Sequence, residues 1–87
     1  MVDRGDVGTL ADRAGWTVAG VVGTYDPAPG GWLARVRLVL VPGHTYSRWH
    51  VAIVDPLGRA HYTMMCSSLG DAVRTAERNV RARNNAG

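Results

Sequence analysis

The chain contains no lysine, no phenylalanine and no glutamine, and only one cysteine among its 87 residues. A single cysteine, Cys66, excludes an internal disulfide and any zinc site that needs several thiolates. We therefore interpret Cys66 as a small buried residue and expect a reducing, cytoplasmic compartment. All ten basic residues are arginine. This bias is typical of a GC-rich genome, such as that of an actinobacterium or its phage.

Long apolar runs are also missing. No stretch approaches the ~20 apolar residues that a membrane helix needs, so no membrane partner is predicted. The N-terminus has no basic start followed by an apolar run, and no signal peptide is expected there. A chain of 87 residues supports one modest hydrophobic core. We therefore predict a single domain over residues 1–87.

The positive charge is confined to the second half of the chain. Residues 1–45 hold four arginines and four aspartates, whereas residues 46–87 hold six arginines against three acidic residues. The net charge of +3 therefore lies entirely in the second half. An anionic partner is expected to bind there.

Alternation of apolar and polar residues predicts strands at 32–41, 49–54 and 59–66. The sequence Asp-Pro-Leu-Gly at 55–58 is typical of a turn, so the last two strands form a hairpin. We place Val54 opposite Arg59 in this hairpin. Trp49 then pairs with Met64, on an apolar face that also contains Val51, Ile53, Tyr62 and Cys66.

The segment 69–83 has the spacing of an amphipathic helix. Ser68 is the predicted N-cap, and Asn84 and Asn85 are the predicted end. The segment 7–14 is compatible with two helical turns. The segment 16–25 is ambiguous, because its β-branched residues favour one strand while its spacing also fits a longer helix.

These elements predict an α+β fold. An antiparallel sheet of three or four strands, at about 16–66, carries the C-terminal amphipathic helix packed on one face. A short N-terminal helix is an optional addition. The helix covers the Trp49 face, and the other face of the sheet is left open. A double-stranded-RNA-binding-like α-β-β-β-α order is a variant of this fold, but Leu69-Gly70 stands where that family has basic residues.

The open sheet face is the first candidate site. Arginine side chains can hydrogen-bond phosphates or base edges when a short sheet meets a DNA groove. Segment 32–83 is similar in its order of elements, though in no diagnostic motif, to arm-type DNA-binding domains of tyrosine recombinases. The polar residues predicted on this face are Arg35, Arg37, Arg59, His50, His61 and Thr63.

The second candidate site is an arginine stripe on the outer side of the helix. Arg74, Arg78 and Arg81 could follow DNA phosphates. A solvated stripe is the favoured alternative, because Asp71 and Glu77 lie at spacings that pair with these arginines. Glu77 is accordingly predicted on the charged, solvent-facing side of the helix.

No cofactor, metal site or catalytic group is predicted. His50 and His61 share a face in the proposed register, but they lack a thiolate or carboxylate beside them, and His44 is in a loop. Trp16, Trp32 and Trp49 are predicted to anchor the core.

The prediction is therefore a non-enzymatic module that binds DNA. The alternative is a protein-interaction module, either a homodimer or a phage-encoded inhibitor of a host protein. In that alternative the apolar members of the open face dominate, namely Leu33, Val39, Val54 and Met65.

Overall fold

The computed structural model describes residues 7–40 and 47–86. Within these ranges a five-stranded antiparallel sheet, with its strands in sequence order, is followed by a C-terminal helix. The elements are a 3₁₀ helix at Thr9–Asp12, strands β1 (Trp16–Ala19), β2 (Val22–Tyr25), β3 (Leu33–Leu40), β4 (Ser47–Val54) and β5 (Ala60–Cys66), and helix α1 (Leu69–Ala86).

The predicted α+β class, with an antiparallel sheet and a C-terminal helix, is confirmed. The predicted count of three or four strands is wrong, because the sheet has five. The α-β-β-β-α variant is wrong for the same reason. His44 lies outside the described residues.

The additional strand comes from the ambiguous segment 16–25, which is a hairpin and neither a single strand nor a helix. Ala19 pairs with Val22, so the loop is the two residues Gly20 and Val21. Gly20 has a φ of +62° and Val21 does not have a positive φ. This combination is typical of a type II′ turn, whose twist matches that of the flanking strands.

The N-terminal segment is helical over residues 7–12, as an α-helical stretch at Val7 and Gly8 that continues as a 3₁₀ helix, and it ends two residues before the predicted bound of 14. Gly8 occupies the N-cap position, and the chain is already extended at Arg13. Leu10 of this segment is buried. A Cβ atom at Gly23 would lie 2.9 Å from the Leu10 side chain, so glycine at position 23 allows the helix to approach β2.

The β4–β5 register differs from the prediction by two residues along most of its length. Trp49 pairs with Cys66 and not with Met64. The turn accounts for one residue, because Gly58, with a φ of +88°, extends it by one position. A bulge at His61 accounts for the other. Two single-residue shifts together restore the alternation, so Tyr62 and Met64 keep their predicted face.

The two faces of the sheet have different environments. One face, here called the helix face, forms a core cluster with Ala72, Val73, Ala76 and Val80 of α1. Its sheet members are Trp16, Tyr25, Ala34, Val36, Trp49, Val51, Ile53 and Cys66. Leu10 belongs to the same cluster. The 3₁₀ helix and α1 therefore lie on the same side of the sheet, and the opposite side is here called the open face.

Both ends of α1 are held by side chains. The Asp71 amide donates to Ser68 Oγ at 3.1 Å, as the predicted N-cap requires. The predicted end is wrong, because the helix continues through Asn84 to Ala86. Asn84 Oδ1 accepts from the Trp32 amide at 2.9 Å, and Asn84 Nδ2 donates to the Trp32 carbonyl at 3.4 Å. These bonds attach the last turns of the helix to the start of β3.

Gly15 gives a test of the packing between β1 and β2. Its φ is +84°, and a Cβ atom there would lie 2.7 Å from Cε1 of Tyr25. Gly20 has a similar φ, but a Cβ atom there would meet nothing within 4 Å. We expect Gly20→Ala to lower the free energy of unfolding by about 1 kcal/mol, and Gly15→Ala by about 2–3 kcal/mol. Urea unfolding of both variants measures the difference, and equal losses would contradict a steric role for Gly15.

Candidate nucleic-acid interface

Strand β3 places two arginines at the centre of the open face. Arg35 and Arg37 are exposed, while Ala34 and Val36 between and beside them are fully buried. The alternation predicted for this strand is therefore present. Side chains two residues apart on a strand point the same way, about 7 Å apart.

The register gives Arg35 and Arg37 their neighbours on the adjoining strands. Arg37 is paired with Val22 on β2 and with His50 on β4. His50 is in turn paired with Met65 on β5. The corresponding row through Arg35 contains Thr17, Thr24, Ala52 and Thr63.

Arg48 also lies on this face, and the sequence analysis missed it. Arg48 is exposed and pairs with Val39, diagonal to the pair of Arg37 and His50. The predicted strand started at Trp49, whereas β4 starts at Ser47. An earlier strand start would have identified Arg48, because its position has the same alternation as His50.

No carboxylate lies among the open-face positions of the five described strands. The acidic residues of the described ranges are Asp12, Asp26, Asp55, Asp71 and Glu77, and none of them is within a strand. Arg35 and Arg37 make no ion pair with any residue of 7–40 or 47–86. Their charges are therefore not neutralised by this part of the chain.

Two residues predicted on the open face, Arg59 and His61, do not belong to it. Arg59 lies in the β4–β5 turn, where its amide donates to Asp55 Oδ1 at 2.9 Å and its carbonyl accepts from the Asp55 amide. His61 is the extra residue of the bulge. Its Nε2 lies 2.5 Å from Asp55 Oδ2, and its ring packs on Trp32 in a T-shaped arrangement with the ring centroids 5.1 Å apart. The bulge therefore places His61 beside Trp32, near the C-terminal end of α1, and away from His50.

The Asp55 carboxylate is hydrogen-bonded within the β4–β5 turn. It accepts from the amides of Leu57 and Arg59, both at 2.9 Å, and it contacts His61. The bond from the Arg59 amide is the main cause that lowers the Asp55 pKa, with His61 and the Leu57 amide acting in the same direction. The arrangement stabilises the hairpin turn, as side-chain bonds of aspartate commonly do.

The apolar members of the open face are less accessible than expected. Val54 is only 2% exposed, and Leu33 and Val39 are half-buried. Met65 remains 40% exposed. The face therefore presents mainly arginine, threonine and histidine.

The helix arginines lie on the other side of the molecule and are largely engaged there. Arg74 pairs with Asp71. Arg81 lies 3.7 Å from Glu77 and donates to the Tyr25 hydroxyl at 3.2 Å. Arg78 is exposed. The structure thus separates Arg74, Arg78 and Arg81 from Arg35 and Arg37, and one flat ligand cannot contact both sets.

Glu77, predicted on the solvated side of the helix, is instead buried. Its side chain is 8% exposed. Arg13 binds it with two bonds, Nε to Oε2 at 2.6 Å and Nη2 to Oε1 at 2.9 Å. Trp16 Nε1 donates to Oε2 at 2.7 Å. A carboxylate that is removed from water needs such donors, and here they come from the N-terminal segment and β1.

These bonds keep Glu77 ionised. The hydrogen bond from Arg13 is the largest cause that lowers the Glu77 pKa, and it outweighs burial, which acts in the opposite direction. The same bond raises the pKa of Arg13.

No group of three or more histidine, cysteine or acidic side chains in the described ranges could hold a metal ion. Cys66 is free and buried, as predicted. No helix in the same ranges is long and apolar enough to cross a membrane. Comparisons of the chain with protein-family models, curated proteins and solved structures found no match.

The Glu77 site predicts a pH-dependent stability. A carboxylate with a depressed pKa stabilises the fold above its unfolded pKa, and the contribution is lost as pH falls through the folded pKa. We expect the native chain to lose stability as the pH falls below about 4.5, which is the ordinary pKa of a glutamate side chain. Glu77→Gln should lower the free energy of unfolding at pH 7 by about 2 kcal/mol and flatten this acid dependence.

Urea unfolding between pH 3 and pH 7 measures both effects. Asp71→Asn is the control, because Asp71 is half-exposed and pairs with Arg74 on the helix surface. It should change the stability by less than about 1 kcal/mol. An unchanged acid dependence in Glu77→Gln would contradict the role given to this carboxylate.

Proposed function

We propose that this chain binds duplex DNA through the open face, with Arg35 and Arg37 as the principal contacts and Arg48 and His50 beside them. The observation that carries the proposal is the pair of exposed arginines at the centre of a sheet face whose described strands hold no carboxylate. Such a face attracts the phosphate backbone, and no carboxylate of the five described strands competes with it for Arg35 and Arg37.

The distribution of aromatic residues favours a duplex over a single strand. Proteins that bind single-stranded nucleic acid usually stack bases on exposed aromatic side chains. Trp16, Tyr25 and Trp49 are buried on the helix face. Tyr62 belongs to the same face by its pairing with Ile53. The open-face positions of β1 to β5 thus contain no tryptophan or tyrosine on which bases could stack.

The width of the sheet determines how it would meet DNA. Five strands at about 4.8 Å spacing span about 19 Å, whereas the major groove is about 12 Å wide. The face is therefore expected to lie across the groove, with its arginines on phosphates more than on base edges. Contacts of this kind fix position but carry little sequence information. The proposed activity is salt-sensitive binding with weak sequence preference.

The alternative, a protein-interaction surface or host inhibitor that uses the apolar members of this face, has less support. It requires Leu33, Val39, Val54 and Met65 to form an accessible patch. Val54 is buried, and Leu33 and Val39 are half-buried. Met65 is the large apolar side chain of this face that remains exposed, beside the exposed Arg35, Arg37 and Arg48.

Fluorescence anisotropy with a labelled mixed-sequence duplex tests the proposal. We expect binding in the micromolar range near 50 mM salt, weakening steeply as salt is raised. Arg35→Ala combined with Arg37→Ala should weaken binding about tenfold or more. It should also reduce the slope of log K against log salt by about two.

The matched control is Arg74→Ala combined with Arg78→Ala, which removes the same charge from the opposite side of the molecule. It should change the affinity by about twofold or less, because these positions are not on the contact surface. Equal losses in the two double variants would show that only net charge matters. That result, or no binding by the native chain at 50 mM salt, would overturn the proposed interface.

A further inference from the structure

Strand β5 is an edge of the sheet, and beyond its bulge at His61 it has few of the devices that usually protect an edge. In the described part of the chain β5 pairs with β4 on one side only. Edge strands are commonly blocked by charged residues or proline. The seven residues of β5, Ala-His-Tyr-Thr-Met-Met-Cys, include no arginine, carboxylate or proline. Within residues 7–40 and 47–86, no strand pairs with the outer side of β5.

The opposite edge is different. Strand β1 has only four residues and adjoins the 3₁₀ helix. Strand β1 therefore has fewer backbone groups for pairing with another strand, and the 3₁₀ helix lies beside it.

The helix leaves β5 partly uncovered. Helix α1 packs mainly on β3 and β4 and contacts β5 less. As a result Tyr62 on the helix face is 42% exposed. On the open face, Met65 is 40% exposed. Met64, between them in sequence, is half-buried. The edge thus carries apolar side chains on both of its sides.

We propose that β5 pairs antiparallel with β5 of a second copy, so that two chains form one continuous ten-stranded sheet. A second copy fits this edge because an uncharged strand with apolar groups on both sides is complementary to itself. Antiparallel pairing of identical strands produces a two-fold axis, which is the commonest symmetry of homodimers. Addition of a strand to a free edge supplies main-chain hydrogen bonds together with side-chain contacts.

The bulge sets the register. Beyond His61 the regular part of β5 runs over residues 62–66, and Met64 is its centre. Two-fold pairing about this centre places Met64 opposite Met64 of the second copy. Tyr62 then lies opposite Cys66, and Thr63 lies opposite Met65. The Tyr62 and Met64 side chains of both copies fill the space between the two helices.

The dimer places both open faces on the same side of the extended sheet, because the two-fold axis is perpendicular to it. The arginine pairs on the two β3 strands would then lie five strand spacings apart, about 24 Å. Self-association itself does not depend on the proposed DNA contact.

Sedimentation equilibrium without nucleic acid tests the dimer. We expect the native chain to dimerise at about 100 µM or below. Thr63→Lys, on the exposed edge, should raise the dimer dissociation constant at least about tenfold. Thr17→Lys is the matched control, since Thr17 is also an exposed threonine on an edge strand, and it should leave the constant within about twofold. Arg35→Ala with Arg37→Ala should also dimerise normally, which separates this proposal from the DNA interface.

Cysteine substitution tests the register. With Cys66 replaced by alanine, Met64→Cys should form an intermolecular disulfide under mild oxidation, because only residues facing their own copies are close enough. Thr63→Cys should not. A native chain that remains monomeric at about 100 µM, or cross-linking of Thr63→Cys in preference to Met64→Cys, overturns the proposal.

Discussion

The bonds to Glu77 join the N-terminal segment and β1 to helix α1, beside the apolar contacts of their shared core. Helix α1 packs mainly on β3 and β4, so its contacts do not extend far toward the β1 edge. Arg13 and Trp16 reach the buried carboxylate from that edge, and Tyr25 reaches Arg81 one turn further along the helix. Because a buried carboxylate tolerates few arrangements of donors, these bonds specify how the first hairpin sits against the helix.

This arrangement makes the two sides of the sheet unequal. The 3₁₀ helix and α1 both lie on the helix face, with Leu10 and Val73 in one core cluster. The apolar surface of the chain is therefore concentrated on one side, and the arginines of β3 and β4 are on the other. The proposed DNA contact depends on this separation more than on the net charge, since the helix arginines Arg74 and Arg81 are paired with acidic neighbours.

The sequence allowed the fold class, the final hairpin and the capped helix to be predicted, because each depends on local patterns such as alternation in β3 and the Ser68 cap. It did not allow the β4–β5 register to be predicted, since the turn and the bulge at His61 each add one residue and alternation alone cannot detect two compensating shifts. The hairpin at 16–25 was missed because a glycine such as Gly20 is compatible both with a destabilised strand and with a two-residue turn. Glu77 was misplaced because its donors, Arg13 and Trp16, lie more than sixty residues away. In the candidate site, alternation correctly placed Arg35 and Arg37 on the open face. Arg59 and His61 were placed there wrongly, because the predicted register did not include the longer turn and the bulge.

The placement of the tryptophans has a practical consequence for spectroscopy. Trp16 and Trp49 are buried on the helix face, and Trp32 packs against the same cluster with the Arg83 guanidinium 4.6 Å from its ring. Indole emission from this chain would therefore respond when the core opens or when the last helical turns detach from Trp32. Indole emission would change little when a ligand binds to the open face. An extrinsic fluorophore is therefore needed to measure binding at that face.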